Sequence, residues 1–289
     1  VALKKTRLGR LTAQPGFSFH NVDIADRDAM QAVASAHKDI THVIHLAAQA
    51  GVRYSMENPA AYIHTNIVGH GIILELCRHM DGLEHLVYAS SSSVYGGNKK
   101  LPFSVDDPTD TPVSLYAATK KADELMTYCY SHLYRLPATG LRFFTVYGPW
   151  GRPDMAAYIF ASAISQGRPI PVFNHGDMRR DFTYIDDIVA GVLAVAAGPP
   201  SGEENAPHRV YNIGNSRSEP LMRYIALIEQ ALGRKAQLDL LPMQPGDVQE
   251  TFADLTAIRR DFGFEPRTTI EEGIPRFISW FKEYTGISG

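Results

Sequence analysis

The chain has 289 residues, 45% of them hydrophobic and 20% charged, a balance that excludes a disordered or collagen-like polymer and fits one large domain or two fused lobes. Lys and Arg number 28 against 31 Asp and Glu, a net charge of −3 with no long run of one sign, which argues against nucleic acid as a partner. Cys77 and Cys129 lie far apart and the 11 histidines are scattered without an HExxH, so neither a disulfide framework nor a metal site is expected and the setting reads as cytoplasmic. The longest apolar stretch, Ile188 to Gly198, is far short of the roughly 20 residues of a membrane span, and no membrane partner is expected.

The sequence opens at Val1 with a basic segment, VALKKTRLGRL, that reads as helix or loop with no strand before it. FSFHNVDIAD then reads as a strand ending near Asp23, Arg27 to Lys38 as a helix, and THVIHLAA as a compact apolar strand bounded by polar residues. A long helix is predicted over Asn58 to Met80, a strand and polar turn in EHLVYASSSSVYG, a helix over Val113 to Tyr134, and a further strand in PATGLRFFTVYGP. Strands alternating with helices predict a doubly wound α/β fold, in which ligands lie beyond the strand C-termini.

Past Pro149 the Pro/Gly-rich stretches GRPDM, GPPSGEENAPH and LLPMQPGDV separate shorter elements, as suits a smaller lobe of loops over a cleft. Helices are predicted at Ala156 to Gln166, Asp186 to Ala197, Glu219 to Leu232 and Ile270 to Tyr284, with short strands around Val172, Phe182 and Val210.

The chemistry is concentrated in Ser114-Leu-Tyr-Ala-Ala-Thr-Lys120, where Tyr116 and Lys120 stand four apart at the start of a predicted helix and share a face. A phenol is a poor base at neutral pH, but a neighbouring ammonium favours its phenolate. Alone the spacing also suits a packed tyrosine beside a solvated lysine. The preceding strand, however, ends in four consecutive serines, Ser90 to Ser93, where a doubly wound sheet binds its ligands, so Ser91 can set a hydroxyl beside Tyr116.

With these residues in place, the chain resembles the extended short-chain dehydrogenase/reductases, and among their NAD-dependent epimerases and dehydratases it is most similar to UDP-glucuronate 4-epimerases. The matching segments are VDIAD, HLAAQAGVRYSMENP, YASSSSVYGG, PVSLYAATKKADE, LRFFTVYGPWGRPDMA, PVFNHGDMRRDFTYIDDI, YNIGNS and PGDVQETFAD, which span nearly the whole chain in order.

The resemblance implies a Rossmann-type NAD-binding domain over residues 1–150 and a nucleotide-sugar lobe over 151–289, with segments near 182–214 returning to the first. It implies Asp23 at the adenine, Ala47 and Ala48 at a close approach of NAD, and Asn66 as a buttress. Tyr116 becomes the base, Lys120 serves the nicotinamide ribose and the phenolate, and Ser91 is the orienting hydroxyl, with Ser92 and Ser93 beside the sugar.

Related dehydratases and decarboxylating members carry carboxylates after the strand hydroxyl. Here Ser92 and Ser93 stand there, so the resemblance implies epimerisation at C4. Thr145 stands where galactose-type epimerases place an amide, and Arg152 is the first candidate for a sugar carboxylate, since a guanidinium offers two parallel donors. Arg152 reads equally as a surface arginine in a polar loop. Arg53 is a second candidate for the carboxylate. Arg180 is implied at the diphosphate, Phe173 at the uracil pocket, and Asp247 as a brace for the diphosphate loop. A UDP-hexose 4-epimerase and a silent nucleotide-sugar-binding relative stay open as alternatives. A homodimer through the helices Asn58 to Met80 and Val113 to Tyr134 is also implied, although their apolar faces could serve as monomer core.

One departure stands out. Such folds open with a strand, a Gly-rich turn and a helix that grips the pyrophosphate, and none of this is written here. The sequence is expected to begin after a loss of at least roughly 30 residues, the usual size of that unit, or else the unit precedes the written residues. The chain as written is not expected to bind NAD tightly or to fold well.

Overall fold

The computed structural model describes residues 2–201, 205–244 and 246–287. Its centre is a parallel sheet in the order β1-β2-β3-β8, formed by β1 (His42–His45), β2 (His85–Ser91), β3 (Ala138–Phe143) and β8 (His208–Ile213). β2 and β3 are buried along nearly their whole length, as strands covered on both faces are.

Helix α1 (Ala2–Thr12) realises the basic opening segment, and α2 (Arg27–Ala36) is capped by Asp26, whose carboxylate accepts from the Ala29 amide. The short turns α3 (Tyr54–Glu57) and α4 (Pro59–Tyr62) lead through a π-helical stretch, Ile63–Gly69, into α5 (His70–Arg78). Helix α6 (Leu115–Tyr134) follows β2 and packs with α5 on one face of the sheet. On the other face lie α8 (Ile185–Ala196) and α10 (Thr256–Phe262), so the sheet is doubly wound.

The smaller lobe is built from β4 (Thr145–Tyr147), α7 (Ala156–Ser165), β5 (Ile170–Val172), β6 (Arg179–Arg180), β7 (Phe182–Tyr184), β9 (Glu219–Pro220), α9 (Leu221–Leu232), β10 (Leu238–Leu240) and α11 (Ile270–Thr285). Its three small sheets pair β5 with β10, β4 with β7, and β6 with β9. Its core is aromatic: Phe182 stacks on Tyr224 at 3.9 Å between centroids, and Phe277 and Phe281 are buried with them. No helix of the described residues is long and apolar enough to cross a membrane.

Three expectations need correction. The strand predicted to end near Asp23 does not form: residues 17–23 hold no ladder and leave Phe17, Phe19 and Val22 exposed. A strand exists only by pairing, and among the described residues β1 pairs with β2 alone. The helix predicted over Asn58 to Met80 forms with Asn58 as cap but passes through a π turn. The single strand predicted in PATGLRFFTVYGP divides at Phe144, whose amide bonds to Ile213 O at 3.1 Å. Thr145 turns away to bond with Asp181 O.

Below the C-terminal ends of β2, β3 and β8 runs a polar row. Ser90, Arg142 and Asn212 are register partners across the three strands. Glu124, projecting from α6, accepts from Ser90 Oγ at 2.6 Å and takes both arms of the Arg142 guanidinium, Nε at 2.8 Å and Nη2 at 2.9 Å. Arg142 Nη1 also donates to Tyr95 OH, which donates to Asn212 Oδ1. Burial pushes the Glu124 carboxyl up, but the bonds and charge of Arg142 outweigh it and hold the group below its ordinary value.

Removing one partner of such a pair strands the other, so Glu124→Ala is expected to cost about 3–5 kcal/mol in denaturant unfolding, and the double change Glu124→Leu with Arg142→Met considerably less. The carboxyl of Glu124 is depressed in the folded state, so its contribution is present above the unfolded value of 4.5 and is lost as pH falls through the lower folded value. The gap between wild type and Glu124→Ala should therefore be full at pH 6 and close toward pH 3. A gap independent of pH would refute the role of the ionised carboxylate.

Candidate active site

Ser114 begins the site. Its hydroxyl accepts from the Ala117 amide at 3.1 Å and caps α6, which sets Tyr116 in the first turn and Lys120 one turn on. Tyr116 is half-buried, its ring 6.1 Å from that of the buried Tyr62 in an edge-on arrangement. The Lys120 ammonium, buried, donates to Asp123 Oδ2 at 2.8 Å. Ser91 closes β2, and its Oγ accepts from the Ser93 amide at 3.2 Å and lies 3.1 Å from Ser93 Oγ. Ser92 and Ser93 start a 3₁₀ turn and are half-buried. No hydrogen bond among the described residues joins Tyr116 to Ser91 or to Lys120.

Beside this group the end of β1 is held from behind. Asn66, buried in the π turn, accepts from the Gln49 amide at 2.8 Å and donates to Gln49 O at 3.0 Å and to Thr119 Oγ1 at 2.9 Å. One amide thus ties the loop after β1 to α6, and the π turn that delivers it is the kind of helix irregularity found at functional sites. Ala47 is exposed and Ala48 half-buried on that loop, so only methyl groups stand between the strand end and a ligand. Small side chains at the strand end, and a buried ammonium, Lys120, on the helix that Asn66 ties to this loop, are residues that fit NAD. Asp23 stands apart, exposed, its carboxylate accepting from the Ala25 amide at 2.9 Å and lying 3.6 Å from His64.

The opposite wall comes from the smaller lobe. Gly148 ends β4 with φ of 145°, where a side chain would strike Ile185 at 2.4 Å, and the turn it permits carries Trp150 and Arg152. Helix α1 pins this turn: Arg7 donates to the carbonyls of Trp150 and Gly151, and the Arg10 guanidinium lies 4.7 Å from the Trp150 ring. Arg152 pairs with Asp154, Nε to Oδ1 at 3.0 Å. Its hydrogen bonds to Asp154 raise it further above its ordinary value; burial opposes, and the charges of Asp154 and of the Tyr116 and Tyr62 phenols add. Thr145 and Arg152 line one small pocket with Gly151, Tyr158 and Tyr224.

At the mouth, residues far apart in sequence converge. Arg53 lies 4.1 Å from the centroid of Phe173 and 3.4 Å from Asp247 Oδ2, joining the first half of the chain to two loops of the second. Arg180 donates to Gln249 O at 3.0 Å, and its burial lowers its guanidinium while Asp247 opposes the shift. Arg53, Phe173, Arg180 and Asp247 therefore meet at one end, and Thr145 and Arg152 share a pocket near Tyr116, while the Ser91 hydroxyl bonds within its own serine turn. Tyr62, Asp123 and Asp154 were not singled out in the sequence; only Asp123, three residues from Lys120 on the same helix, gave a signal that could have found it.

Residues 2–214 match the NAD dependent epimerase/dehydratase family. The chain is 49% identical to Protein CapI of Staphylococcus aureus over 296 residues, 98% of this chain and 88% of that one. It is 46% identical to a probable UDP-glucuronate 4-epimerase of Rhizobium meliloti over 297 residues, 98% of this chain and 86% of that one. Among solved structures, UDP-glucuronic acid 4-epimerase from Bacillus cereus in complex with UDP-glucuronic acid and NAD is similar at a TM-score of 0.89 and 31% identity, covering 98% of this chain and 87% of that one. The chain therefore belongs to the NAD dependent epimerase/dehydratase family.

Proposed function

We propose that this protein is an NAD-dependent 4-epimerase that interconverts UDP-glucuronate and UDP-galacturonate. The observation that carries the reading is the meeting of Arg152 and Thr145 in one pocket, with the Tyr116 phenol among the groups whose charge acts on Arg152. A carboxylate anchor thereby stands beside a base. The relatives named UDP-glucuronate 4-epimerase support the same substrate.

Tyr116 takes the proton from the C4 hydroxyl, Lys120 favours its phenolate, and Ser91 orients the hydroxyl. Nicotinamide, when bound over Ala47 and Ala48, supplies a reversible hydride acceptor for C4. The 4-keto sugar then presents its other face, swinging about a diphosphate held by Arg180, with Phe173 against the uracil and Asp247 bracing the loop. Ser92 and Ser93 offer hydroxyls and no carboxylate, so nothing at the strand tip drives elimination.

Oxidation at C4 of a glucuronate creates a β-keto acid, which loses carbon dioxide when its carboxyl bond aligns with the carbonyl π system. Arg152, Thr145 and the serine hydroxyls hold that carboxylate out of alignment, a positioning role. Residues 1–150 form the cofactor half and 151–289 the sugar half, with the segment near 182–214 returning to the first. Leu125, Tyr128 and Leu133 of α6 and Val68 beside α5 are exposed, and their faces suit a homodimer. Both cysteines are free, which suits a cytoplasmic setting.

Tyr116→Phe is expected to lower kcat at least about 100-fold, in the range of lost general-base catalysis, with binding of the UDP-sugar retained. Wild-type turnover in that variant would sink the base assignment. Arg152→His is expected to release a UDP-pentose by decarboxylation alongside the epimer, as read by product NMR. An unchanged product ratio would remove Arg152 from the carboxylate.

A further inference from the structure

Lys120, the cation beside the proposed base, has a nearest partner with no part in the chemistry. Lys120 and Asp123 form an ion pair at 2.8 Å with side chains 5% and 1% exposed. The second oxygen of that carboxylate, Oδ1, is buried with no hydrogen-bond partner. A half-satisfied buried carboxylate is costly, and an apolar residue at this helix position would remove the cost. Stability alone therefore gives no reason for it.

The groups that face Asp123 leave it one counter-ion among the described residues. On α6 these are Lys120 and Glu124, and Glu124 is taken by Arg142. From β2 comes Tyr88, which burial keeps protonated. From β1 and α5 come His45 and His70, whose rings stack at 5.3 Å. Burial, with Lys120 adding to it, lowers His45 to about 4, and burial likewise lowers His70, so both are neutral at physiological pH. The ammonium of Lys120 alone answers the carboxylate.

Tyr116, Lys120 and Asp123 follow one another along a single face of α6 at spacings of four and three. A free ammonium between base and carboxylate would favour the phenolate with its whole charge. Paired, it is partly cancelled by the charge behind it.

We propose that Asp123 is a positioning residue, which holds the Lys120 ammonium on the side away from the sugar and tempers its hold on the Tyr116 phenolate. The carboxylate is the chain's own setting of how strong a base Tyr116 is. Burial pushes Asp123 up to about 6 against the opposing charge of Lys120, which leaves it ionised at neutral pH. The inference rests on Tyr116 and Lys120 acting as base and cation.

The test is the isosteric Asp123→Asn in the full chain with NAD and UDP-glucuronate. The acidic limb of the kcat/KM profile should move to lower pH by about half a unit to one unit. This is the effect expected of a unit charge removed roughly 10 Å away, two helical turns, at a dielectric between protein and water. Ultraviolet titration of the Tyr116 phenol, identified by its loss in Tyr116→Phe, should move the same way. Asp123→Glu, which restores the charge, should return the limb. Should Asp123→Asn fail to fold, Asp123→Ser is read in its place. An unmoved limb in a folded variant, with or without a fall in kcat, reduces Asp123 to a structural role and overturns the proposal. Full activity in Tyr116→Phe would instead overturn the underlying base assignment, so the two failures are separable.

Discussion

The architecture turns on one carboxylate. Glu124 leaves α6 and binds Ser90 and Arg142, which are cross-strand partners in the two central strands. A helix packed on a sheet by apolar contacts alone can slide or rotate by a fraction of a turn at small cost. Three hydrogen bonds to fixed points on two strands remove that freedom, and each is charge-assisted. The consequence is felt one and two turns away. Tyr116 and Lys120 share the helix with Glu124, while Ser91 follows Ser90 directly. The distance between phenol and serine turn is therefore set from beneath, by a bond that touches neither.

A second carboxylate does the same for the smaller lobe. Asp181 is wholly buried, and its oxygens accept from the amides of Asn215, Ser216 and Ala253 and from the Thr183 hydroxyl. Burial still pushes it up to about 6, the amide donors pulling the other way. Three separate chain segments end on this one side chain. Arg180 precedes it and Thr145 bonds to its carbonyl, so two positions proposed to face the substrate are referenced to a single point. The two halves of the cleft are thus each registered by a buried acid, a division that lets the loops above vary without loosening the floor.

Local patterns were legible where one residue's role depends on its neighbours. The four-residue spacing of Tyr116 and Lys120 needs only a helix, and the serine run after an apolar strand points to a sheet's ligand edge. What stayed hidden depends on partners distant in sequence. Arg142 sits in an apolar strand pattern and looks out of place until Glu124, 18 positions earlier on a helix, is brought against it. Phe17 to Asp23 has the composition of a strand, but composition supplies no ladder. The break at Phe144 follows from Ile213 and Asp181, which capture successive amides from different directions. The convergence of Arg53 with Asp247 joins positions separated by 194 residues, beyond the reach of any periodicity.

The two buried ion pairs of α6 differ in a way that assigns their purposes. Glu124 and Arg142 satisfy each other bidentately and pass their remaining hydrogen bonds to Ser90 and Tyr95, which is how a pair is built to hold a fold. Lys120 and Asp123 make one bond and leave an oxygen unanswered. A helix able to build the first pair had no need to leave the second incomplete for strength. An unfinished pair under a proposed base is better understood as a charge held in reserve: the ammonium is bound firmly enough to stay buried and loosely enough to act on what lies in front of it. On this argument the completed network makes the helix rigid, and the incomplete one sets how strong the proposed base is.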